Sequence, residues 1–479
     1  MAGSDESIKP SALSARMPFI VLSNVEKTDP ATRRLIRSHA RRGITRKRGP
    51  PAKDQPTVSP GAVTGHTQKE RVELEEVVEI YTPLIPGRIG SDICFVEFGD
   101  EIEPLALLNM TKVSTVARKI TFPLRAAIGF QADGSRWDSP FGRDAAALHI
   151  MAFAVQGFID KVLRQKENSI NPAAIMHLQK GLRLLRERLL GDDDETRISD
   201  STMGVVLKLA SVAHFAGDYE TSKQHMEGLR KMVELRGGLD VFRGKMLLVE
   251  MLRCDLGIAL LNGSYPVFFG QPSEPVIEYP EKLQPASDDK SYSRDTMELV
   301  QIADKELATV WQVMRRFCLL VNLGTQTQRL IRPEIIHETM AAVMYRLLHM
   351  HFAAGSPDET VRHGLLAFSH HVFLQWQDIK LPYHYFPATY QSSILSLEGA
   401  DGASPQLLLW LLMIGAISVF DISEDAWLRE HIREYASRCQ VKTWKAMQDI
   451  LKSFMWIALL DEQAGKHIYN FACLDDKSF

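Results

Sequence analysis

From residue 143 onward the chain is punctuated by helix starts that share one chemistry. Asn171-Pro172, Ser356-Pro357 and Ser404-Pro405 each place a capping side chain before a proline pre-shaped for the first helical position. Glu359 stands three residues after Ser356 and predicts a capping box, in which two orphan backbone donors are satisfied reciprocally. Stops match the starts. Gly191 follows Leu189-Leu190, and Gly237-Gly238 follow Leu235, where a double glycine permits left-handed backbone. Between these signals the pattern predicts a helical hairpin: one helix over 201–216, a turn at Gly217-Asp218 and a second helix over 219–236, with Met226, Leu229 and Val233 at helical spacing. Residues 263–291, rich in Pro, Ser and acidic side chains, read as the main loop of this body. The run from Leu407 to Phe420 holds 14 residues without a charge. A membrane span needs roughly 20, so this run predicts a buried core helix. No interior strand is convincing and no repeat of fixed period appears. The expected class is all-α, a multi-helix bundle or helix-pair array over residues 143–479.

The first 142 residues read differently. Residues 1–70 predict a largely disordered arm: Gly49-Pro50-Pro51 breaks any helix, and the stretch from Lys53 to Lys69 is poor in large apolar groups that could offset the entropy of ordering. Two short elements stand out in it. Phe19-Ile-Val-Leu22 predicts a strand or docking segment. Asp29-Pro30 predicts a helix start, after which Ile36, Ala40 and Ile44 line one narrow stripe. Residues 71–142 form a transitional segment, irregular with short strand or helix pieces, in which Pro83, Pro86, Gly87 and Gly90 separate partly β-like runs.

Charge is divided unevenly. The whole chain sums to −3, but nine Lys or Arg and no Asp or Glu lie between Pro30 and Lys53, which leaves −12 for everything else. A body of that sign repels phosphate backbones, so electrostatic contact with nucleic acid falls to the arm. Arg33, Arg34, Arg37, Arg41, Arg42, Arg46, Lys47 and Arg48 make the dense core of the basic segment 33–53, and Arg-Lys-Arg at 46–48 reads as a nuclear-import patch. Three roles compete for it: import or chromatin contact, a solvated or internally docked arm, and attachment to a membrane surface. The last is the weakest, because Ile36, Ala40 and Ile44 offer little apolar area. Eight cations can hold DNA non-specifically, yet nothing in them predicts base readout.

Several chemistries are excluded or unsupported. Cysteines at 94, 254, 318, 439 and 473 are never closer than 34 residues. That scatter suits reduced thiols in an intracellular protein, and no N-terminal apolar stretch suggests a secretory signal. A two-zinc cluster needs six cysteines whose thiolates converge at about 2.3 Å, and no Cys2His2 spacing replaces it. Among the histidines, 349 and 351 point to opposite sides of a helix, while 363 and 370 share a face without a carboxylate between them. His337-Glu338 opens like a zinc-protease motif, but Ala341 stands where the second histidine is required. Asp192-Asp193-Asp194-Glu195 invites a magnesium reading, yet it follows Gly191 and precedes the next helix, where the dipole favours acidic side chains in a solvated loop. No G-x-S-x-G, Walker A or G-x-G-x-x-G motif occurs. The residues nominate no catalytic group, no metal and no cofactor.

Four stretches resemble a known group. They are Phe19-Ile-Val-Leu-Ser-Asn with Arg33-Arg-Leu-Ile-Arg-Ser-His-Ala40; Gly87-Arg-Ile-Gly-Ser-Asp92 through Phe95 to Pro104; His225-Met-Glu-Gly-Leu-Arg-Lys-Met-Val-Glu-Leu-Arg-Gly-Gly-Leu239, the most specific; and Leu408-Leu-Trp-Leu-Leu-Met-Ile-Gly-Ala-Ile417. Together they resemble the fungal-specific transcription factors, in the branch that lacks the N-terminal Zn2Cys6 zinc cluster. The resemblance implies an all-α regulatory domain, a nuclear location and control of transcription, often of a secondary-metabolite biosynthetic cluster. Without the zinc cluster the family's DNA contacts do not carry over. The expected function is therefore a non-enzymatic transcriptional regulator. Its expected partners are other transcription regulators or chromatin proteins, with weak non-specific DNA contact through the arm and no membrane. The alternative is an all-helical enzyme or accessory protein of a biosynthetic pathway.

Overall fold

In the computed structural model the charge-free run becomes the helix Pro405–Ser418, whose residues from Leu407 to Ser418 are all buried. The structure describes residues 98–121, 143–160, 171–271, 276–285, 302–375, 381–399 and 404–474, with the single positions 124, 274 and 300 between them. All belong to one unit, Glu70–Phe479. The arm of residues 1–70 lies outside the described residues, and with it the expected elements at Phe19 and Asp29. In chain order the helices are α1 (Pro104–Thr121), α2 (Ala145–Phe158), α3 (Pro172–Leu190), α4 (Asp194–Arg197), α5 (Asp200–Ala216), α6 (Tyr219–Leu235), α7 (Met246–Asn262), α8 (Lys305–Thr327), α9 (Pro333–His349), α10 (Pro357–Ser369), α11 (Tyr385–Glu398), α12 (Pro405–Ser418), α13 (Ala426–Arg438), α14 (Trp444–Phe454) and α15 (Ala458–Cys473). No strand occurs among the described residues, so they form an all-α fold. None of their helices is long and apolar enough to cross a membrane.

Local chemistry explains most of the boundaries. Asn171 accepts from Ala173 N at 2.9 Å, and Ser356 from Glu359 N at 3.2 Å. The hairpin forms as expected: α5 ends at Gly217 with φ +81°, and Asp218 starts α6 by accepting from Thr221 N at 3.1 Å. At the far end Gly237 and Gly238 take φ +102° and +92°, and Gly238 N reaches back to the Val233 carbonyl at 2.9 Å. Two expected caps need correction. The box at Ser356 is only half formed: Glu359 turns instead to Phe352 N at 3.3 Å and to Arg362 Nε at 2.8 Å, because a buried guanidinium outcompetes a backbone donor that already bonds the Ala353 carbonyl. Ser404 makes no side-chain cap and bonds Gln406 Oε1 at 3.3 Å. The stop at Gly191 forms as expected: α3 ends at Leu190 with Gly191 as its C-cap in extended backbone, φ −71°. Within the segment 71–142, α1 is a longer helix than the short pieces expected there.

A helix that is apolar all round must be covered all round. Here α10, α11, α13, α14 and α15 all pack on α12. Trp410 lies at its centre, with Nε1 donating to the Met455 carbonyl at 3.0 Å, its ring stacked on Phe454 and Trp311 of α8 set edge-on at 5.5 Å. In the first half of the body α7 has the same role. It is buried along nearly its whole length and is packed by α5, α6, α9 and α11. One continuous core joins both helices. Separate from it, α1 lies on α2 over a small cluster made by Met110, Val113, Leu148, Ala152, Val155 and Ile159.

Close crossing of α10 and α12 depends on Gly364, where an added Cβ would stand 2.3 Å from Leu411 Cδ2 and 3.3 Å from the Trp410 ring. Gly228 on α6 has nothing within 4 Å of that position. Helix propensity alone favours alanine over glycine by about 1 kcal/mol at either site. Overpacking should reverse the sign at one of them. Thermal unfolding should show Gly228→Ala neutral to stabilised, and Gly364→Ala destabilised by about 1–3 kcal/mol.

Candidate functional site

The eight cations from Arg33 to Lys47 and Arg48 lie outside the described residues, as does Cys94. The acidic run is accounted for by helix chemistry: Asp193 caps α4 through Glu195 N and Thr196 N, and Asp194 pairs with Arg197. Cys254 and Cys318 are buried, Cys439 and Cys473 partly so, and none of these four is in a disulfide. Among the described residues no three His, Cys, Asp or Glu side chains converge as a metal site would require. The clustered histidines disperse to separate partners. His349 Nε2 donates to the Phe269 carbonyl at 2.6 Å, and His351 sits 3.4 Å from the Tyr265 hydroxyl. His363 lies between Arg362 at 2.8 Å and Ser393 Oγ at 2.7 Å.

Two buried polar centres were not foreseen. In the first, Asp255 of α7 accepts from Val267 N at 2.7 Å, Phe268 N at 2.9 Å and the Tyr345 hydroxyl of α9 at 2.9 Å. Burial raises the Asp255 carboxyl to about 6, against the pull of those three donors and of Arg230. Burial likewise holds the Tyr345 hydroxyl well above its ordinary range. This carboxylate fixes the turn after α7, where Phe269 adopts φ +52°, a left-handed conformation that costs a non-glycine residue roughly 1–2 kcal/mol. Arg230 Nη1, on the Val267 carbonyl at 2.8 Å, and His349 complete the clamp.

The second centre surrounds the π-helical turn His370–Leu374 that continues α10. Arg253 of α7 donates from Nε to the Phe373 carbonyl at 2.8 Å and from Nη2 to the Leu374 carbonyl at 3.1 Å, so a half-buried cation meets the negative end of the helix. Burial lowers this guanidinium to about 10, which leaves it charged at neutral pH. His371 Nε2 is 2.8 Å from Asp461 Oδ1, and Asp461 Oδ2 accepts from Ile457 N at 2.6 Å at the start of α15. His370, pushed down to about 3 by burial and then by His371, His214 and Arg253, stays neutral. His214, pushed down to about 4 by burial, accepts the Tyr383 hydroxyl at its carbonyl at 2.7 Å. π turns often mark functional positions. Here, however, the polar groups mostly aim at backbone. The cavity beside them, lined by Leu124, Arg253, Ile336, His337, Met340, Val372 and Phe373, measures about 20 Å³. That is room for about one water, where small-molecule sites measure roughly 300–1,000 Å³. This centre therefore positions helices.

Leu319 and Leu323, 45% and 55% exposed, stand on the outer face of α8, and Leu459, 38% exposed, stands on α15. Asn322 joins the two helices at that seam, donating to the Trp456 carbonyl at 2.7 Å and accepting from Ala458 N at 3.0 Å. A shallow, open depression on α11 is lined by Ala388, Gln391, Ser392, Leu395 and Ser396, without a charge. Comparison with protein-family models, with characterised proteins and with solved structures finds no match to this chain.

The Asp255 clamp has a testable sign. Asn at 255 would offer one acceptor oxygen and turn an amide N–H toward backbone donors, so Asp255→Asn should lower stability at pH 7 by about 1–3 kcal/mol. A carboxyl raised on folding contributes stability that is present at low pH and lost as pH rises through about 6. Denaturant titrations should therefore show a wider gap between wild type and Asp255→Asn at pH 4.5 than at pH 7.

Proposed function

We propose that this chain is a transcriptional regulator without a zinc cluster that acts in the nucleus through partner proteins. The observation that carries this reading is the segregation of charge: nine cations and no acid between Pro30 and Lys53, beside a remainder of −12. Such a segment suits import and loose contact with nucleic acid, while the acidic remainder avoids it. The body supports the reading with exposed leucines at the α8–α15 seam and an uncharged depression on α11, surfaces suited to protein partners. Other transcription regulators or chromatin proteins are the partners this arrangement fits. The genes controlled would be fungal, such as a secondary-metabolite biosynthetic cluster, as the four resembling stretches imply. No catalytic step, metal or cofactor enters this role. DNA contact through eight cations would be weak, indifferent to sequence and steeply salt-dependent, with a log–log slope of about −7 if all eight meet phosphates.

The deciding experiment compares a tagged full-length protein with a variant in which Arg33, Arg34, Arg37, Arg41, Arg42, Arg46, Lys47 and Arg48 are all changed to Gln. Nuclear signal in the wild type and its loss in the variant is the expected result. A wild-type protein that stays in the cytoplasm would overturn the proposal and favour an all-helical enzyme or accessory protein of a biosynthetic pathway.

A further inference from the structure

Residues 98–103, which lead into α1, are tied to α2 and α3 by a row of four side chains. Asp100 Oδ2 lies 3.3 Å from His149 Nε2 on α2. The imidazoles of His149 and His177 meet Nδ1 to Nδ1 at 2.8 Å, with their rings stacked 5.1 Å apart. His177 Nε2, on α3, lies 3.0 Å from Glu103 Oε2. Both carboxylates thus come from the short leading segment, and both buried imidazoles from the body beneath it.

The protons in this row can be counted. An ionised carboxylate only accepts, and each imidazole nitrogen donates or accepts according to whether it carries a proton. Three hydrogen bonds across four nitrogens need three protons, and two neutral imidazoles bring two. With two, either one carboxylate faces a bare nitrogen lone pair, or two lone pairs face each other at 2.8 Å. Only a third proton completes the row.

We propose that His149 and His177 form a proton-operated latch, in which one shared extra proton fastens residues 98–103 and helix α1 to the body and its loss releases them. In the fastened form His149 donates from Nε2 to Asp100, His177 donates from Nε2 to Glu103, and the third proton bridges the two Nδ1 atoms. The Glu103 side chain is 56% exposed, which puts the row in reach of solvent protons. Burial holds His149 below the usual histidine range, and Lys180 and His177 push the same way against the pull of Asp100, so the pair resists a second proton. Asp100 is held down to about 2, chiefly by Lys180 at 2.9 Å, and so remains an acceptor throughout the range in which histidine titrates.

Of the other elements packed on α2 and α3, α1 sets Asn109 against Gln156 at 3.3 Å. α5 contributes Ser201 to the Asp144–Arg188 pair at the far end, and α4 keeps its Asp194–Arg197 pair to itself. Release is local because α1 covers its own small apolar cluster and not the main core. Detachment would bare Leu148, Ala152 and Val155 of α2 without opening the bundle. The latch does not depend on the regulatory role proposed above.

Hydrogen exchange on the full chain, in chelator-containing buffer and corrected for intrinsic rates, tests the latch directly. Amides of residues 107–113 should be about tenfold better protected at pH 5.5 than at pH 8, while those of α12 are unchanged. The proton count makes a sharper demand on Glu103→Ala. With one carboxylate gone, two bonds remain for two protons, so the neutral pair is satisfied and the pH response should vanish. His177→Gln should show low protection at both pH values. Equal protection of wild-type α1 at the two pH values would overturn the latch, as would an undiminished response in Glu103→Ala. Glu103 is exposed and outside the core, so that variant stays informative even if His177→Gln does not fold.

Discussion

The organising constraint of this molecule is the cost of exposing α12. Twelve consecutive residues, Leu407 to Ser418, are buried on a helix with no polar face. A helix of this kind cannot lie on a surface, and at this length it cannot span a bilayer. It must be sheathed by other helices. The sheath of α10, α11, α13, α14 and α15 follows from that requirement, and so do the small residues where backbones come closest. Gly364 lets α10 approach Leu411, and Gly465 lets α15 approach Trp456. Trp410, Trp311 and Phe454 then fill the space that the crossing leaves.

Apolar burial sets which helices are inside but does little to set their order and register, since many packings bury similar area. The buried polar ties supply that selectivity. Asp255 accepts a geometry offered only when α9 and the turn after α7 are both in place. Arg253 reaches 120 residues along the chain to the carbonyl of Phe373, and His371 reaches 90 residues to Asp461. Each tie leaves a costly unpaired group in any alternative arrangement, so it penalises misdocking more than it adds to net stability.

This division explains what was legible in the sequence. The α5–α6 hairpin, its Gly217-Asp218 turn and the double-glycine stop at 237–238 are written in neighbouring residues and could be read directly. The buried helix at Leu407 could be read as well, because it depends on composition alone. The polar ties could not, since their partners are distant in sequence. One signal was present: Arg253 and Asp255 stand in a run from Met246 to Leu261 that is otherwise nearly all apolar, and charges within such a run imply buried partners. The half-formed box at Ser356 failed for the converse reason. The local pattern was correct, but Arg362, one turn further along, claimed the Glu359 carboxylate.

The same argument separates what holds the body together from what it presents. Around the π turn the polar groups mostly aim at backbone, and the cavity beside Arg253 is too small for more than about one water. Uncovered apolar side chains include Leu319, Leu323 and Leu459, and Leu395 in the uncharged depression on α11. The cationic segment 33–53 and the acidic remainder then have opposite affinities for polyanions, so a contact made by one is not competed for by the other. The proposed role thus rests import on the segment's charge and partner binding on the helical surface, two tasks with different chemistry.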